Sequence, residues 1–425
     1  MLSFSHNLTQ KRTQKFTTHA IALALASFAF NAASHAQQTN KSDEVGIASF
    51  NIAWAGTKAD FKTHLAVCSA PEVNWCDTRP RIMRGATEPT KEEADRAKQC
   101  QSNIEAAAGG FEKSMMVAPC NAYRLNASNW SNGEAWYDEK MTGLTSTIDK
   151  LVTEQGIGIM AFQEVKSRET IQAILGKHVN DFETCVAEHN AFQTVGFAWK
   201  KSLSSKPAVC RSEEALAIKD NEEETSKIRK LRPGVELNIT VGATPLSILN
   251  VHLKSSCANL ITTDRYAGHV LTDDDKACKI LNRQVAPLEN WIERVASKTP
   301  LFVVLGDFNR RLDEEAASNP PKDQVRSDGS DPASPNKTGP HGEVKTRLLW
   351  QELSDGNPSL VQVPLAEGTG ACKGFVGLDH ILISEALNAK QNGAASSVKV
   401  GVDQLKGQKI ISSDHCPRIT TLKLR

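Results

Sequence analysis

Short apolar runs recur along the chain, and several of them end in a polar residue. Residues 301–305 are uniformly apolar, which predicts a strand that is buried on both faces. Gly306 follows, and then Asp307 and Asn309, whose side chains point the same way on an extended chain. A carboxylate and an amide at the end of a buried strand can hold a metal ion or a phosphate oxygen.

The same pattern occurs five more times. Apolar runs end in polar or acid–base residues at Asn51, Glu164, His252 and the pair Asp414–His415, and a further run begins at Asp379. A polar tip on one strand is ordinary, but six in one chain predict that these strand ends meet at an active site on a β scaffold.

The remaining periodicity predicts short strands with helices between them. Strands are predicted over 45–54, 193–200, 214–218, 234–241, 245–253 and 418–424 and near Ile381 and Ile410. Helices are predicted over 141–155, 169–176, 274–298 and 348–353, with a helix-like run at 90–107. This alternation predicts a mixed α/β sandwich of two facing sheets with helices outside.

The first 36 residues have the pattern of a signal peptide. Lys11, Arg12 and Lys15 precede an apolar stretch at 20–30, and a small-x-small cleavage pattern ends at Ala36. We therefore expect an exported protein, periplasmic or secreted, with a short linker at 37–44 and a single domain over 45–425. No other segment is apolar enough to span a bilayer. Removing the signal lowers the net charge from +1 to about −2, which predicts no large basic surface.

The ten cysteines all follow the predicted cleavage site, and an even number in an exported chain predicts disulfides. Sequential pairing is the simplest hypothesis and gives 68–76, 100–120, 185–210, 257–278 and 372–416. Two polar stretches interrupt the strand and helix pattern: a Cys-containing insertion at about 57–140, and a flexible loop at about 313–343 that is rich in Pro, Asp, Ser, Gly and Asn.

The candidate chemistry is that of a hard metal ion beside a phosphate. Glu164, Asp307 and Asp414 supply carboxylates and Asn51 and Asn309 supply amides, which suits Mg²⁺, with Mn²⁺ as an alternative. The sequence contains no CxxC zinc spacing, no Gly-rich phosphate loop, no GxSxG and no HExxH.

Two histidines are candidates for proton transfer. His415 can be oriented by Asp379, because the two apolar runs follow each other and are expected to pair as neighbouring strands. His252 comes from a separate strand and is the second candidate.

The ordered motifs FN (50–51), QE (163–164), NVHL (250–253), GDFN (306–309), LDH (378–380) and SDH (413–415) resemble the endonuclease/exonuclease/phosphatase superfamily. That family includes pancreatic-type deoxyribonucleases, apurinic endonucleases, bacterial sphingomyelinases and inositol polyphosphate phosphatases. The resemblance runs from about 45 to 424. It implies a four-layer α/β (α+β) sandwich, with two central mixed β-sheets flanked by helices, and Mg²⁺-dependent hydrolysis of a phosphate ester.

The resemblance also implies roles for the matched residues. Asn51 and Glu164 match the metal-site pair, with Asp414 as a further metal or water ligand. Asp307 and Asn309 match the residues that orient the water and hold the scissile phosphate.

The remaining matches concern proton transfer and the phosphate. Asp379 matches the partner of His415, and His252 matches the second histidine of the deoxyribonuclease branch. Arg232 stands where that branch has an Arg-x-Pro segment, without the spacer, and is a candidate phosphate contact.

The sequence leaves three functions open. The first is an exported Mg²⁺-dependent phosphodiesterase, an endonuclease with DNA or RNA as substrate. The second is a sphingomyelinase-like phospholipase, with a membrane lipid as substrate, or a small-molecule or inositol phosphatase. Insertion aromatics at Trp75, Trp130, Trp136 and Tyr137 would then insert into a membrane; the alternative is that they form the small core of the insertion itself. The third is a non-catalytic binding module, which should have lost site residues that this chain retains. A monomer is favoured.

Overall fold

The computed structural model describes residues 44–83, 89–123, 125–220, 227–262, 268–318, 347–354, 358–366, 377–393, 395–402 and 412–425. The predicted signal peptide 1–36, residues 37–43 of the predicted linker and the predicted strand near Ile410 lie outside these residues. Glu44, assigned to the linker, already belongs to the first strand. No helix in the described part of the chain is long and apolar enough to cross a membrane.

Two mixed sheets of six strands each form the centre of the fold. In spatial order the first sheet contains β11 (Val398–Lys399), β12 (Arg418–Lys423), β1 (Glu44–Ala55), β2 (Ile157–Val165), β4 (Thr194–Lys200) and β3 (Phe182–Val186). The second contains β5 (Val209–Glu213), β6 (Gly234–Val241), β7 (Thr244–His252), β8 (Phe302–Asp307), β10 (Asp379–Ser384) and β9 (Leu360–Gln362). The pairs β1–β2 and β7–β8 are parallel, and the other neighbouring pairs are antiparallel.

The described helices are α1 (Lys58–Cys68), α2 (Lys91–Ala108), α3 (Phe111–Met115), α4 (Gly133–Thr153), α5 (Arg168–Leu175), α6 (Lys276–Ala296), α7 (Leu312–Ala317), α8 (Leu349–Leu353) and α9 (Glu385–Asn388). Apolar residues of α4 and α5 pack on the outer face of the first sheet. Those of α6 pack on the outer face of the second. A third cluster fills the space between the sheets, so the predicted four-layer sandwich is confirmed.

Strand β8 shows why its sequence is uniformly apolar. Val303 and Leu305 contribute to the core between the sheets. Phe302 and Val304 contribute to the cluster beneath α6. Both faces of the strand are therefore covered, and alternation between apolar and polar residues is lost.

Gly306 allows β8 to lie against β7 at the point where the candidate site begins. Its φ is +137°, and a Cβ at this position would lie 2.0 Å from the carbonyl oxygen of Val251. We expect Gly306→Ala to lower the free energy of unfolding by about 3 kcal/mol or more, because a strained φ and a backbone clash combine. Denaturant unfolding of Gly156→Ala is the control: its φ is +66° and nothing lies within 4 Å of the added Cβ. Equal losses in both variants would contradict this account.

Some elements differ from the prediction. The predicted strand 214–218 begins with a 3₁₀ turn, Glu214–Leu216, because the Glu213 carboxylate accepts from Ala215 N. The residues just before it form β5 instead. Helix α4 begins at Gly133 rather than at 141, and α7 occupies the start of the predicted loop 313–343, where consecutive acidic residues favour the first turn of a helix. Residues 319–343 of that loop lie outside the described residues.

The insertion between β1 and β2 has its own core. Phe61, Tyr123 and Tyr137 are buried together, and Trp75 and Trp136 pack against this cluster and its neighbour. Trp130 is 41% exposed. Most of the insertion aromatics therefore stabilise the insertion itself.

The disulfides of the insertion are nested rather than sequential. Cys68 pairs with Cys120 and Cys76 with Cys100, so the predicted pairs 68–76 and 100–120 are wrong. The chain turns directly after α1, and α2 then returns Cys100 to this turn, so the neighbours in space are not neighbours in sequence. The predicted pairs 185–210 and 257–278 are confirmed. Cys416 is disulfide-bonded, and Cys372, its predicted partner, lies outside the described residues.

Candidate active site

The two sheets bring four of the predicted strand ends to one edge of the sandwich. Strands β1 and β2 run parallel in one sheet, and β7 and β8 run parallel in the other, so each pair delivers its carboxyl ends to the same edge. Asn51 Nδ2 donates to Asp307 Oδ2 over 3.0 Å and joins the two sheets at this edge. Glu164 and His252 lie beside them, with His252 Nε2 at 3.8 Å from Glu164 Oε1 and 3.6 Å from Asp307 Oδ2.

The backbone at these strand ends is strained. Ala53, Trp54, Glu164 and Asn309 have φ between +50° and +57°, a region that costs residues other than glycine about 1–3 kcal/mol each. The strain turns amide groups towards the site. Ala53 N donates to Asn51 Oδ1 at 3.0 Å and Trp54 N to Glu164 Oε2 at 3.1 Å. Backbone strain that orients polar side chains is typical of functional sites.

Asp379 and His415 form the predicted carboxylate–imidazole pair. His415 Nδ1 lies 3.0 and 3.1 Å from the two carboxylate oxygens of Asp379, and its Nε2 lies 3.9 Å from Asp307 Oδ2. The expectation that they come from neighbouring strands is wrong. Asp379 opens β10 in the second sheet, opposite Asp307, whereas His415 precedes β12 in the first. The pair therefore spans the sandwich.

Asp379 and His415 each stabilise the charged form of the other. Burial alone would lower the pKa of the His415 imidazole, but the charge and hydrogen bond of Asp379 outweigh it and raise this pKa to about 10. Burial would raise the pKa of Asp379, but the charge of His415 outweighs it and lowers this pKa. His415 is therefore an imidazolium whose Nε2–H is directed into the site.

Asp307 and Glu164 differ from Asp379, because their carboxyl pKa values are raised. Burial raises the pKa of Asp307 to about 7; His415 opposes this rise and Asp379 adds to it. Burial also raises the pKa of Glu164, again against the charge of His415, with the charge of Asp414 adding to it. Both carboxyl groups are therefore costly to keep charged where they are buried, and the positive charge of His415 offsets this cost only in part.

The donor set fits a hard divalent cation. The carboxylates of Glu164 and Asp307 and the amide oxygen of Asn51 are the ligands that Mg²⁺ and Mn²⁺ prefer. A cation there would stabilise the charged forms of the two carboxyl groups, whose pKa values burial raises. Asp379 and His415 also offer ligand atoms close to Asp307, but they are bonded to each other.

His252 and Arg232 line the side of the site formed by β7. Burial, with the charges of Arg232 and His415, lowers the pKa of His252 well below its usual value, so this imidazole is neutral. Arg232 donates to the carbonyl oxygens of His252 and Leu253 and to Gln193 Oε1, at 3.2, 2.7 and 2.9 Å. Its guanidinium thus holds the end of β7, while its charge acts on Glu164 and Asp307.

The two remaining predicted residues differ in burial. Asn309 is buried. It donates from its backbone N to Asp307 Oδ1 at 2.8 Å and from Nδ2 to Leu253 O at 3.0 Å. Asp414 is exposed at the rim, where its charge acts on Glu164 and His415. All nine predicted residues are therefore in or beside one site.

Several supporting residues were not among those predicted from the sequence. Lys399 Nζ lies 3.4 Å from Asp379 Oδ2, and Arg418 donates to Asp379 O at 2.6 Å. Gln163 Nε2 donates to Asn250 Oδ1 at 2.7 Å and links the sheets a second time. Gln163 and Asn250 stand inside the motifs QE and NVHL, so their position was a usable signal. Lys399 stands in a segment of ordinary composition and gave none.

Comparisons with known proteins return distant similarities only. No protein-family model and no curated protein sequence matches the chain. Among solved structures, truncated TDP2 from Caenorhabditis elegans shares 12% identity at a TM-score of 0.38, covering 69% of this chain and 94% of that chain. An endonuclease/exonuclease/phosphatase family protein from Bacteroides thetaiotaomicron shares 10% at 0.38, covering 71% and 94%. The 3'-5' exonuclease NExo from Neisseria meningitidis shares 14% at 0.36, covering 67% and 96%.

One of these structures is described as a member of the family that the sequence motifs resemble. At such identities and TM-scores the similarity does not assign an activity.

Proposed function

We propose that this protein is a metal-dependent phosphodiesterase of the endonuclease/exonuclease/phosphatase type, with nucleic acid as its substrate. One observation carries the proposal. A cluster of metal-type oxygens at Asn51, Glu164 and Asp307 lies against an imidazolium, His415, that a buried carboxylate holds in place. Oxygen ligands beside a positioned cationic donor are what hydrolysis of a phosphate ester requires.

Mg²⁺, with Mn²⁺ as the alternative, would be held by Glu164 and Asn51 together with Asp307 or Asp414. When bound, it would act as a Lewis acid that stabilises negative charge on phosphate oxygens. The other roles belong to the chain itself.

Asp307 is suited to orient the attacking water and accept its proton, because a carboxyl group with a pKa near 7 is an effective base at neutral pH. His415 is suited to donate from Nε2 to a phosphate oxygen as charge develops there, because its pKa of about 10 keeps it protonated. The two groups lie 3.9 Å apart, and with pKa values of about 7 and about 10 the carboxyl group is the base and the imidazolium the donor at neutral pH. Asn309 and the neutral His252 complete the set of hydrogen-bonding groups around the phosphate.

The charge beside the site supports a polyanionic substrate. Burial lowers the pKa of His189 to about 4, and the positive charges of Arg232, Lys166 and Lys230 lower it further, which shows that these cations lie near one another. Arg232, Lys166 and His189 are partly exposed, and Lys230 is exposed. A cluster of cations next to the proposed phosphate site favours a chain of phosphates over a zwitterionic lipid headgroup.

A second candidate is a phospholipase that acts at a membrane. Ile82, Met83 and Trp130 of the insertion are 55%, 64% and 41% exposed and are the insertion side chains that a membrane surface could contact. However, Tyr137 is buried in the core of the insertion, and Trp75 and Trp136 pack against this core. This candidate is therefore the weaker one, and a non-catalytic module is disfavoured because the complete site is assembled.

The test is a substrate panel with purified protein: supercoiled plasmid, a single-stranded oligonucleotide, sphingomyelin vesicles and inositol phosphates. Each substrate is incubated with Mg²⁺ and, in parallel, with EDTA. We expect cleavage of plasmid or oligonucleotide that EDTA abolishes. Hydrolysis of sphingomyelin without cleavage of nucleic acid would support the second candidate. Turnover of none of the four substrates would contradict the proposed function.

We also propose that the chain is exported after removal of residues 1–36. The four disulfides among the described residues support this, because such bonds persist in oxidising compartments. Amino-terminal sequencing of the mature protein should begin at Gln37. A mature protein that retains Met1 would contradict this proposal.

A further inference from the structure

A buried lysine links two segments of the chain that carry the candidate site. Lys140 lies in α4 and is 3% exposed. Its Nζ donates to the carbonyl oxygen of Ile52, at 2.9 Å, and to that of Ser412. Ile52 follows Asn51 in β1, and Ser412 opens the segment that leads to His415. The ammonium therefore bridges the first strand and the last loop of the site.

The first arm of this bridge holds a bulge in β1. The pairing of β1 with β2 shifts between Asn51 and Ala55, and Ala53 and Trp54 within the bulge have positive φ. A bulge takes backbone groups out of the ladder, and a buried carbonyl there needs another donor. Lys140 supplies that donor at Ile52 O.

The bulge in turn positions two site residues. Within it, Ala53 N and Trp54 N donate to Asn51 Oδ1 and Glu164 Oε2. If the bulge relaxed, both hydrogen bonds would be lost or lengthened. The contact between Lys140 and Ile52 O therefore acts on the proposed metal-holding oxygens through the backbone.

The second arm reaches His415. Ser413, directly after the carbonyl that Lys140 binds, donates from Oγ to Asn51 O at 2.7 Å. The same Oγ accepts from His415 N at 3.1 Å. Lys140 thus binds the carbonyls of Ile52 and Ser412, and the residues next to these two, Asn51 and Ser413, are hydrogen-bonded to each other. An ammonium is costly to bury without polar partners, and the carbonyls of Ile52 and Ser412 are partners that an apolar residue at this position could not bind.

We propose that Lys140 is a positioning residue that sets the geometry between the proposed metal-holding residues, Asn51 and Glu164, and His415. It touches neither substrate nor metal and acts through the backbone of the two segments. The inference rests on the proposed function, because the geometry it sets is that of the proposed phosphodiesterase site.

The test compares Lys140→Met with Tyr137→Phe. Tyr137 is a matched control, because it lies one turn earlier in α4 and donates from its hydroxyl to Gly56 O at 2.9 Å, also in the segment after β1. Three quantities are measured for the full protein: kcat, KM, and the affinity for Mn²⁺ in the absence of substrate, by electron paramagnetic resonance. Lys140→Gln, which retains an amide donor, is measured as a second variant.

We expect Lys140→Met to lower kcat about 30-fold and to weaken Mn²⁺ binding about tenfold, which are typical effects of residues that orient metal ligands. The KM should stay within about threefold, since substrate contacts are unchanged, and Lys140→Gln should recover part of both losses. Tyr137→Phe should change kcat and Mn²⁺ affinity by less than about twofold. Hydrogen exchange in Lys140→Met should accelerate in both 51–56 and 412–416.

Three results would overturn the proposal. The first is kcat and Mn²⁺ affinity in Lys140→Met equal to those of Tyr137→Phe. The second is faster exchange in neither segment. The third is failure of both Lys140 variants to fold, which would make Lys140 a folding residue. If the wild-type protein cleaves no phosphodiester, the proposed function fails by itself, and the Mn²⁺ and exchange measurements still decide on Lys140.

Discussion

Asp307→Asn should lower kcat about a thousandfold without unfolding the protein. The asparagine side chain has almost the same shape and can still accept from Asn309 N, as the carboxylate does at 2.8 Å. It cannot accept a proton from water, and loss of a general base typically costs about 10²–10⁴-fold. It also removes the carboxylate oxygen that lies near both Asn51 and His415.

The stability of this variant separates a catalytic from a structural role. Burial raises the pKa of Asp307 to about 7, which means that its charged form is disfavoured in the folded protein. A neutral side chain removes that cost but loses the hydrogen bond from Asn51 Nδ2, so the two effects oppose each other and the melting temperature at pH 8 should change little. Asp313→Asn, an exposed carboxylate in α7, is the matched control and should retain full activity. A loss of activity accompanied by an equal loss of folded protein would contradict the assignment.

Asp379→Asn should lower kcat by about a thousandfold or more for a different reason. The Asp379 carboxylate holds His415 by Nδ1 and keeps it protonated by raising its pKa to about 10. An amide provides no negative charge and can donate to Nδ1, which favours the wrong tautomer; in serine proteases the equivalent change costs about 10⁴-fold.

The pKa of His415 also predicts how the activity of Asp379→Asn changes with pH. With its pKa raised, His415 stays protonated as the pH rises until about 10, and the wild-type protein keeps its cationic donor over that range. In Asp379→Asn the pKa of His415 falls, so the residual activity should decline as the pH rises through neutrality. NMR titration of the His415 ring checks the shift directly.

The molecule contains a matched control for this pair. Asp149 Oδ1 lies 2.7 Å from His178 Nε2, a second carboxylate–histidine pair, located on α4 and the turn after α5. Asp149→Asn should leave kcat unchanged within about twofold. An Asp379→Asn variant that is as active as Asp149→Asn would show that His415 does not need its carboxylate partner.

Much of the site could be predicted from the sequence because its residues stand at the ends of buried strands. A uniformly apolar run such as 301–305 fixes where the strand lies, and its first polar residues, Asp307 and Asn309, are then at the edge. Parallel pairing, which requires long connections between the paired strands, brings Asn51 beside Glu164 and His252 beside Asp307.

The parts that could not be predicted depend on contacts between distant elements. The chain crosses from one sheet to the other between β10 and β12. Asp379 and His415 are only 36 residues apart in sequence, but they meet across the sandwich and not along a hairpin. Cys68 and Cys76 are close in sequence, yet α2 returns a different partner to Cys76. No sequence pattern marks Lys140, because its proposed role depends on contacts with the backbone carbonyls of a bulge and a loop.

The central claim is that these strand ends form one metal-dependent phosphodiesterase centre. The most direct measurement is cleavage of supercoiled plasmid by EDTA-treated protein as Mg²⁺ is added back, with wild type and Glu164→Gln compared. We predict no cleavage before Mg²⁺, full recovery in the wild type, and recovery in Glu164→Gln only at about 10–100-fold more Mg²⁺. Cleavage by the EDTA-treated wild type, or an identical Mg²⁺ requirement in both proteins, would contradict the claim.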